Sequence, residues 1–296
     1  MATIIDGKKA ANEFKELLRD KVAQFEETQS RPPHLTAIIV GEDGASKTYV
    51  GAKERACSWV GISSSIVSLP DTTSEADLLK KVYEINRDDH VDGLIVQLPL
   101  PDHISDEKIV QAIDPDKDVD GFHWLNMGKM ARGDDAFISA TPYGITKLLK
   151  YYDIPTHGKH AVVVGRSNIV GRPMSILLSE ANRETGNATV TLCHRYTENL
   201  EHYTRQADIL VVAVGIPEFI RKDMVKPGAV VIDVGITRVP ADNKKGYVIK
   251  GDVAFDEVSE VAGAITPVPG GVGAMTIVGL LENTVKSFER KFKLND

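Results

Sequence analysis

From residue 34 onward, apolar runs of strand type and amphipathic helical repeats take turns, and this alternation constrains the fold more than any other feature. "HLTAIIVG" (34–41) reads as a buried strand ending in glycine, after a helix over 8–27 that spaces Phe14, Leu17, Leu18, Val22 and Phe25 on one face. A helix near 45–59 stopped by Gly61, a strand at 64–69, a helix at 75–87 capped by Ser74 and a strand at 91–98 come next. Strand and helix in alternation imply a parallel sheet covered by helices, so the expected class is α/β.

Residues 113–142, rich in Asp and Gly and weakly periodic, read as a long loop of the functional or linking kind. Thr141-Pro142 then suits the start of a helix over 142–152. A second series follows: strand 160–164, helix 170–182, strand 188–194, helix 198–206 and strands 208–214 and 229–234. Two domains are therefore expected, 1–141 with 276–296 and 142–275. Met275, Val278, Leu281, Val285, Phe288 and Phe292 form one apolar stripe, and that last helix is expected to pack back on the first domain.

With 42% hydrophobic residues the 296-residue chain can bury a core for both domains. Its net charge of −7 argues against a nucleic-acid or anionic-membrane surface, so an anionic ligand must be met by a few local Lys or Arg residues. The start, "MATIIDGKKAANEF", has neither signal-peptide nor transit-peptide character. Cys57 and Cys193 form no disulfide framework or metal-type spacing, so no metal is expected and a reducing cytoplasm is the expected location.

"HAVVVGRSNIVGRP" (160–173) is a strand, a glycine turn and a helix start, the context in which a dinucleotide pyrophosphate rests on backbone N–H groups. Gly165, Ser167 and Gly171 depart from the G-x-G-x-x-G spacing. At the end of the next strand, "ATVTLCHRYT", Arg195 stands where NAD sites usually carry an acid. An arginine there, with Arg166, suits a phosphate, either the 2′-phosphate of NADP or a free one.

Other segments carry unusual chemistry for their places. Tyr49 and Lys53 in "KTYVGAKERAC" (47–57) have the Tyr-x-x-x-Lys spacing of short-chain dehydrogenases, but they precede the glycine loop by more than a hundred positions. "VQLPLP" (96–101) places Gln97 at the carboxyl end of a buried strand, where open α/β sheets bind ligands. "PDKDVDGF" (115–122) gathers Asp116, Asp118 and Asp120, and "ITPVPGGVG" (265–273) is a loop that lets backbone approach a ligand.

In this order the motifs resemble the bifunctional methylenetetrahydrofolate dehydrogenase/methenyltetrahydrofolate cyclohydrolase family. The likeness runs through Tyr49-x-x-x-Lys53, Gln97-Leu-Pro-Leu-Pro101, Lys117-Asp-Val-Asp-Gly121, Gly165-Arg-Ser167 with Val170-Gly171, and Pro267-Val-Pro-Gly-Gly-Val-Gly273. It implies a folate-binding first domain, a Rossmann-like second domain for the nicotinamide cofactor, a cleft between them serving both reactions, and a homodimer. Lys53 is then the main catalytic residue, supported by Tyr49 and Gln97, with Asp120 on the pterin-like end of the folate. Val96, Leu98, Pro269, Gly270 and Gly271 would line the folate side. Gly165, Arg166, Ser167, Val170, Gly171, Arg195, Gly215 and Ile236 would hold the cofactor.

The resemblance also sets the chemistry. Hydride loss from the methylene carbon needs alignment and no protein acid, whereas hydrolysis of the methenyl group needs a base for the attacking water. A neutral Lys53 would act as that base or help organise it. His194-Arg195-Tyr196-Thr197 and the extra "EANRETGN" resemble the mitochondrial NAD-using branch, which holds phosphate beside magnesium, but that branch has an aspartate where this chain has Asn187. NADP is favoured over NAD with phosphate and magnesium, since an amide is a poorer magnesium ligand. Ala140 and Thr237 stand where the family usually has cysteine and asparagine. The alternatives are a dehydrogenase without cyclohydrolase activity and a non-catalytic dinucleotide- or folate-binding sensor.

Overall fold

The computed structural model describes residues 2–29, 31–41, 44–244 and 246–294, without the side chains of residues 26 and 44–48. It divides into two compact units, one made of Glu13–Ala140 and Ile277–Asp296, the other of Met1–Asn12 and Thr141–Thr276. A two-residue strand β1 (Thr3–Ile4) and helix α1 (Gly7–Gln29) open the chain. Strand β2 (His34–Val40), helix α2 (Gly44–Val60), strand β3 (Ser63–Leu69), helix α3 (Glu75–Asn86) and strand β4 (Gly93–Val96) follow, then helices α4 (Asp106–Ala112) and α5 (Trp124–Arg132).

In this unit β3, β2 and β4 form a parallel three-stranded sheet with β2 central. The two-residue period of β2 sorts its side chains between two cores. Leu35, Ala37 and Ile39 join Leu18, Val22 and Phe25 of α1 and Cys57 and Val60 of α2, while Ile38 and Val40 join Leu78 and Val82 of α3 and Ile109 of α4. Burial on both faces explains why β2 reads as an unbroken apolar run.

Helix α6 (Ala140–Tyr151) leads into strand β5 (His160–Val164), helix α7 (Gly171–Ser179), strand β6 (Thr189–Cys193), helix α8 (Leu200–Thr204), strand β7 (Ile209–Val212) and strand β8 (Val230–Asp233). A hairpin β9 (Thr237–Pro240) and β10 (Tyr247–Lys250), helix α9 (Phe255–Val258), strand β11 (Ala264–Ile265) and helix α10 (Val272–Phe292) complete the chain. The second sheet is parallel, in the order β1-β11-β8-β7-β5-β6. As expected, the carboxyl-terminal part of α10 belongs with the three-stranded unit. Its Leu281, Val285 and Phe288 enter the core shared by α1 and α2, with Phe288 5.1 Å from Phe25.

Three expectations need correction. Residues 1–12, assigned with the first domain, cluster with the six-stranded unit because β1 extends that sheet by pairing with β11, and Lys8 N donates to Gly270 O (3.0 Å). The segment 113–142 is not all loop. It holds α5, started by His123, whose Nδ1 accepts from Leu125 N (3.0 Å), and ended by Gly133 in the left-handed conformation. Helix α7 also stops at Ser179, short of the expected 182.

Candidate active site

Helix α2 runs beside β2, and its Tyr49 and Lys53 stand one turn apart on the same face. Lys53 is only 7% exposed, its Nζ lies 3.3 Å from Gln97 Oε1 and 5.5 Å from the centre of the Tyr49 ring. Gln97 follows β4 directly. Its backbone N donates to Ile38 O (2.9 Å), and its Nε2 donates to Leu98 O (2.8 Å), which leaves Oε1 to receive the lysine. The Leu98–Pro99 peptide is cis. Val96 is buried in the sheet below, and Leu98 is half-buried.

Asp120 completes this group. Desolvation raises its carboxyl pKa, and the charge of Lys53 acts in the opposite direction, which places the ammonium and the carboxyl in one electrostatic environment. The three-stranded unit thus brings together Tyr49, Lys53, Gln97 and Asp120, drawn from three separate stretches of sequence. Cys57, the next turn along α2, is fully buried, and that burial pushes its thiol up to about 12, away from the exposed thiolate a nucleophile needs.

The loop bearing Asp120 is held by Asn283, Asn126 and Asp118, of which sequence reading named only Asp118. Asn283 of α10, 2% exposed, donates through Nδ2 to Val119 O and Ile138 O, both at 2.8 Å. Asp118 is buried and accepts from Phe122 N (3.1 Å), His123 N (2.9 Å) and Asn126 Nδ2 (2.8 Å). The acidic triplet is therefore divided by role: Asp116 is exposed, Asp118 ties the loop, and Asp120 keeps surface open beside Lys53.

Burial raises the Asp118 carboxyl to about 7. Because this lies above its unfolded value, the stabilising contribution is fully present below pH 3.8 and is lost as pH rises through 7. Relative to Asp118→Asn, the wild-type chain should gain about 1.4 kcal/mol per pH unit as pH falls through that window. Urea unfolding of both proteins at several pH values measures the difference, and a gap independent of pH would contradict the assignment.

In the six-stranded unit the remaining candidates sit at the carboxyl edge of the sheet, where α/β sheets bind ligands. Gly165 follows β5 with φ +119°, and a Cβ there would lie 2.1 Å from Ala213 O. At Gly171, the first residue of α7, a Cβ would lie 1.9 Å from Gly165 O. Strand, turn and helix thus approach as closely as a dinucleotide loop requires, and these residues fit the cofactor. Ser167 Oγ accepts from Val170 N (3.2 Å) and Gly171 N (3.4 Å), shaping the turn.

At the end of β6, Arg166 and Arg195 converge on one exposed ring. Their guanidinium carbons lie 5.7 and 4.8 Å from the centre of Tyr196, where cation–π attraction holds both cations at one place. Gly215 and the exposed Ile236 lie in the turns after β7 and β8. Pro269, after a cis Val268–Pro269 bond, Gly270 and Gly271 belong to this unit too, rather than to the one carrying Lys53. Among the described residues no group of His, Cys, Asp and Glu could hold a metal ion, and no helix is long and apolar enough to cross a membrane.

Two family models together match most of the chain. Residues 5–120 match the model described as tetrahydrofolate dehydrogenase/cyclohydrolase, catalytic domain, and residues 139–292 match the model of the NAD(P)-binding domain of the same name. The "Bifunctional protein FolD" of Christiangramia forsetii is 56% identical over 292 residues, 98% of this chain and 97% of that protein. A crystal structure of the FolD enzyme from Campylobacter jejuni is 46% identical with a TM-score of 0.91, covering 98% of this chain and 100% of its own. The dehydrogenase-cyclohydrolase from Trypanosoma brucei, solved with NADP cofactor and an inhibitor, is 36% identical with a TM-score of 0.93, covering 99% of each chain. From the two matched domains and these full-length likenesses, the chain belongs to the tetrahydrofolate dehydrogenase/cyclohydrolase family.

Proposed function

We propose that this chain oxidises 5,10-methylenetetrahydrofolate to 5,10-methenyltetrahydrofolate with NADP, and then hydrolyses the product to 10-formyltetrahydrofolate. The observation that carries this reading is the buried Lys53 bonded to Gln97 beside Tyr49 and Asp120. A sensor has no evident need of that set, and a dehydrogenase alone has no need of a base.

The cofactor supplies a hydride acceptor. The chain's task in the first reaction is alignment, with Asp120 taking donors of the pterin end and Val96 and Leu98 supplying apolar contact. In the second reaction water attacks the cationic methenyl carbon and Lys53 takes one water proton, which goes on to the ring nitrogen whose bond to that carbon breaks, while the remaining hydroxyl proton is released to solvent as the formyl C=O forms. Tyr49 and Gln97 hold the lysine in line. Hydrolysis of methenyltetrahydrofolate supplied without any nicotinamide cofactor tests this part directly. Failure of the methenyl absorbance to decay faster than in buffer would remove the cyclohydrolase.

The choice of NADP rests on Arg166 and Arg195 meeting at Tyr196, with a charge-assisted contact to the 2′-phosphate. Gly165, Ser167, Val170 and Gly171 take the pyrophosphate, and Gly215 and Ile236 the other end of the cofactor. Asn187 has φ +58°, a backbone position that favours asparagine, so its presence before β6 is explained without a metal. Arg195→Ser should raise KM for NADP about tenfold while leaving KM for NAD nearly unchanged, from the loss of one charge-assisted bond. Strong NAD turnover that depends on both magnesium and phosphate would reverse the choice. The chain is proposed to act as a homodimer in the cytoplasm, and sedimentation of the purified protein checks the first point.

A further inference from the structure

The carboxyl edge of the six-stranded sheet holds two buried carboxylates that the reactions above do not use. Asp233 ends β8, and its Oδ1 accepts from Gly235 N and Asp252 N, both at 2.9 Å, while Oδ2 accepts from Val253 N at 3.0 Å. Asp252 is fully buried, and its Oδ2 accepts from Val214 N (2.6 Å) and Gly215 N (2.9 Å). Among the described residues its other oxygen, Oδ1, has no hydrogen-bond partner. The carboxylates therefore form a relay, in which Asp233 fixes the backbone of 252 and 253, and the Asp252 side chain fixes the turn after β7.

The surrounding backbone is shaped to admit this arrangement. A Cβ on Gly235 would lie 2.2 Å from Asp252 Oδ1, and one on Gly251 would lie 1.9 Å from Asp233 Oδ2. Burying two carboxyls, one with an orphaned oxygen, is costly, and desolvation raises the pKa of both. Ordinary backbone pairing could join two turns at less cost, so the expense points to a requirement at the turns themselves. Those turns expose Ile216 (50%) and Ile236 (51%), and around Gly215 a Cβ would meet nothing within 4 Å. Two exposed isoleucines flanking an open glycine at a ligand-binding sheet edge suit a flat, mostly apolar ring.

Strand order says which ring. The sheet runs β8-β7-β5-β6, so the glycine loop after β5 lies between the Arg195 end of β6 and the turns after β7 and β8. With the pyrophosphate over the β5 loop and the 2′-phosphate at Arg166 and Arg195, the opposite half of the cofactor extends over β7 and β8. We infer that Asp252, braced by Asp233, is a positioning residue that holds the Gly215 and Ile236 turns for the nicotinamide half of the cofactor. This rests on the proposed use of NADP.

The test uses the full-length protein and separates the two halves of the ligand. Asp252→Ala leaves two turn amides without their acceptor, and it should weaken NADPH binding, followed by cofactor fluorescence, about tenfold or more. Affinity for 2′,5′-ADP, which lacks the nicotinamide half, should stay within about twofold, as should hydrolysis of methenyltetrahydrofolate without cofactor. Asp252→Asn, whose Oδ1 can take both amides, should restore NADPH affinity to within about threefold of wild type. If the alanine variant is insoluble, Asp252→Ser, too short to reach either amide, carries the same expectations. Unchanged NADPH affinity in the alanine or serine variant overturns the inference, and so does parallel loss of 2′,5′-ADP binding and hydrolysis. Wild-type protein that binds neither NADPH nor 2′,5′-ADP would instead defeat the proposed cofactor itself.

Discussion

Replacing Lys53 by methionine should cut the hydrolysis of methenyltetrahydrofolate by about 10²- to 10⁴-fold, the contribution a positioned general base makes. Methionine keeps an unbranched apolar stem in a site where lysine is only 7% exposed, so the packing of α2 survives and the loss reports on the amine. Folate should still bind to within several-fold, because Asp120 and the backbone around Gln97 are untouched. Oxidation of methylenetetrahydrofolate will also fall through lost alignment, which makes hydrolysis the cleaner readout. Full retention of hydrolysis in Lys53→Met would end the role given to this residue. Tyr49→Phe separates the roles further, since it keeps the ring 5.5 Å from Nζ and removes only the hydroxyl.

The complementary split comes from Gly171→Ala. A single added methyl would lie 1.9 Å from Gly165 O, a backbone atom that cannot swing aside as a flexible side chain can. The α7 start must move away from the β5 turn, and displacement of the pyrophosphate-binding turn by about 1 Å should cost 10²-fold or more in dehydrogenase kcat/KM. Cofactor-free hydrolysis should persist, because Tyr49, Lys53, Gln97 and Asp120 all belong to the other unit. Equal loss of both activities would show that the substitution acts by general destabilisation. Together the two variants should show that hydrolysis depends on Lys53 and not on the glycine loop.

Much of this was legible in the sequence where residues act through local pattern. The β2 and β5 runs are apolar because both their faces are buried, and the caps at Ser74 and Gly61 mark ends that the structure keeps. Helix α5 carries little sequence signal because it is short, exposes Trp124 (65%) and Leu125 (48%), and buries only Asn126 and Met130, one of them polar. Strand β1 is two residues long and exists only through pairing with β11 from the far end of the chain, so no local pattern ties residues 1–12 to the six-stranded sheet.

For the site, separation in sequence was the limit. Tyr49, Lys53, Gln97 and Asp120 could be nominated by their motifs, but their meeting depends on the β2–β4 register and on Asn283 tying the Asp120 loop from α10. Asn283 lies among the polar positions of an amphipathic helix and has no local mark. The same is true of Asp233 and Asp252, which resemble solvated acids until their backbone donors are known. The triplet at 116–120 could not be divided into exposed, tying and open members from its spacing alone.

The most direct test of the central reading is to mix the wild-type protein with methylenetetrahydrofolate and NADP and to follow reduced cofactor and methenyl absorbance together. Reduced cofactor should accumulate while the methenyl signal rises and then decays into 10-formyltetrahydrofolate. A methenyl signal that grows in step with reduced cofactor and never decays would contradict the bifunctional account, and the absence of both signals would leave only a binding protein.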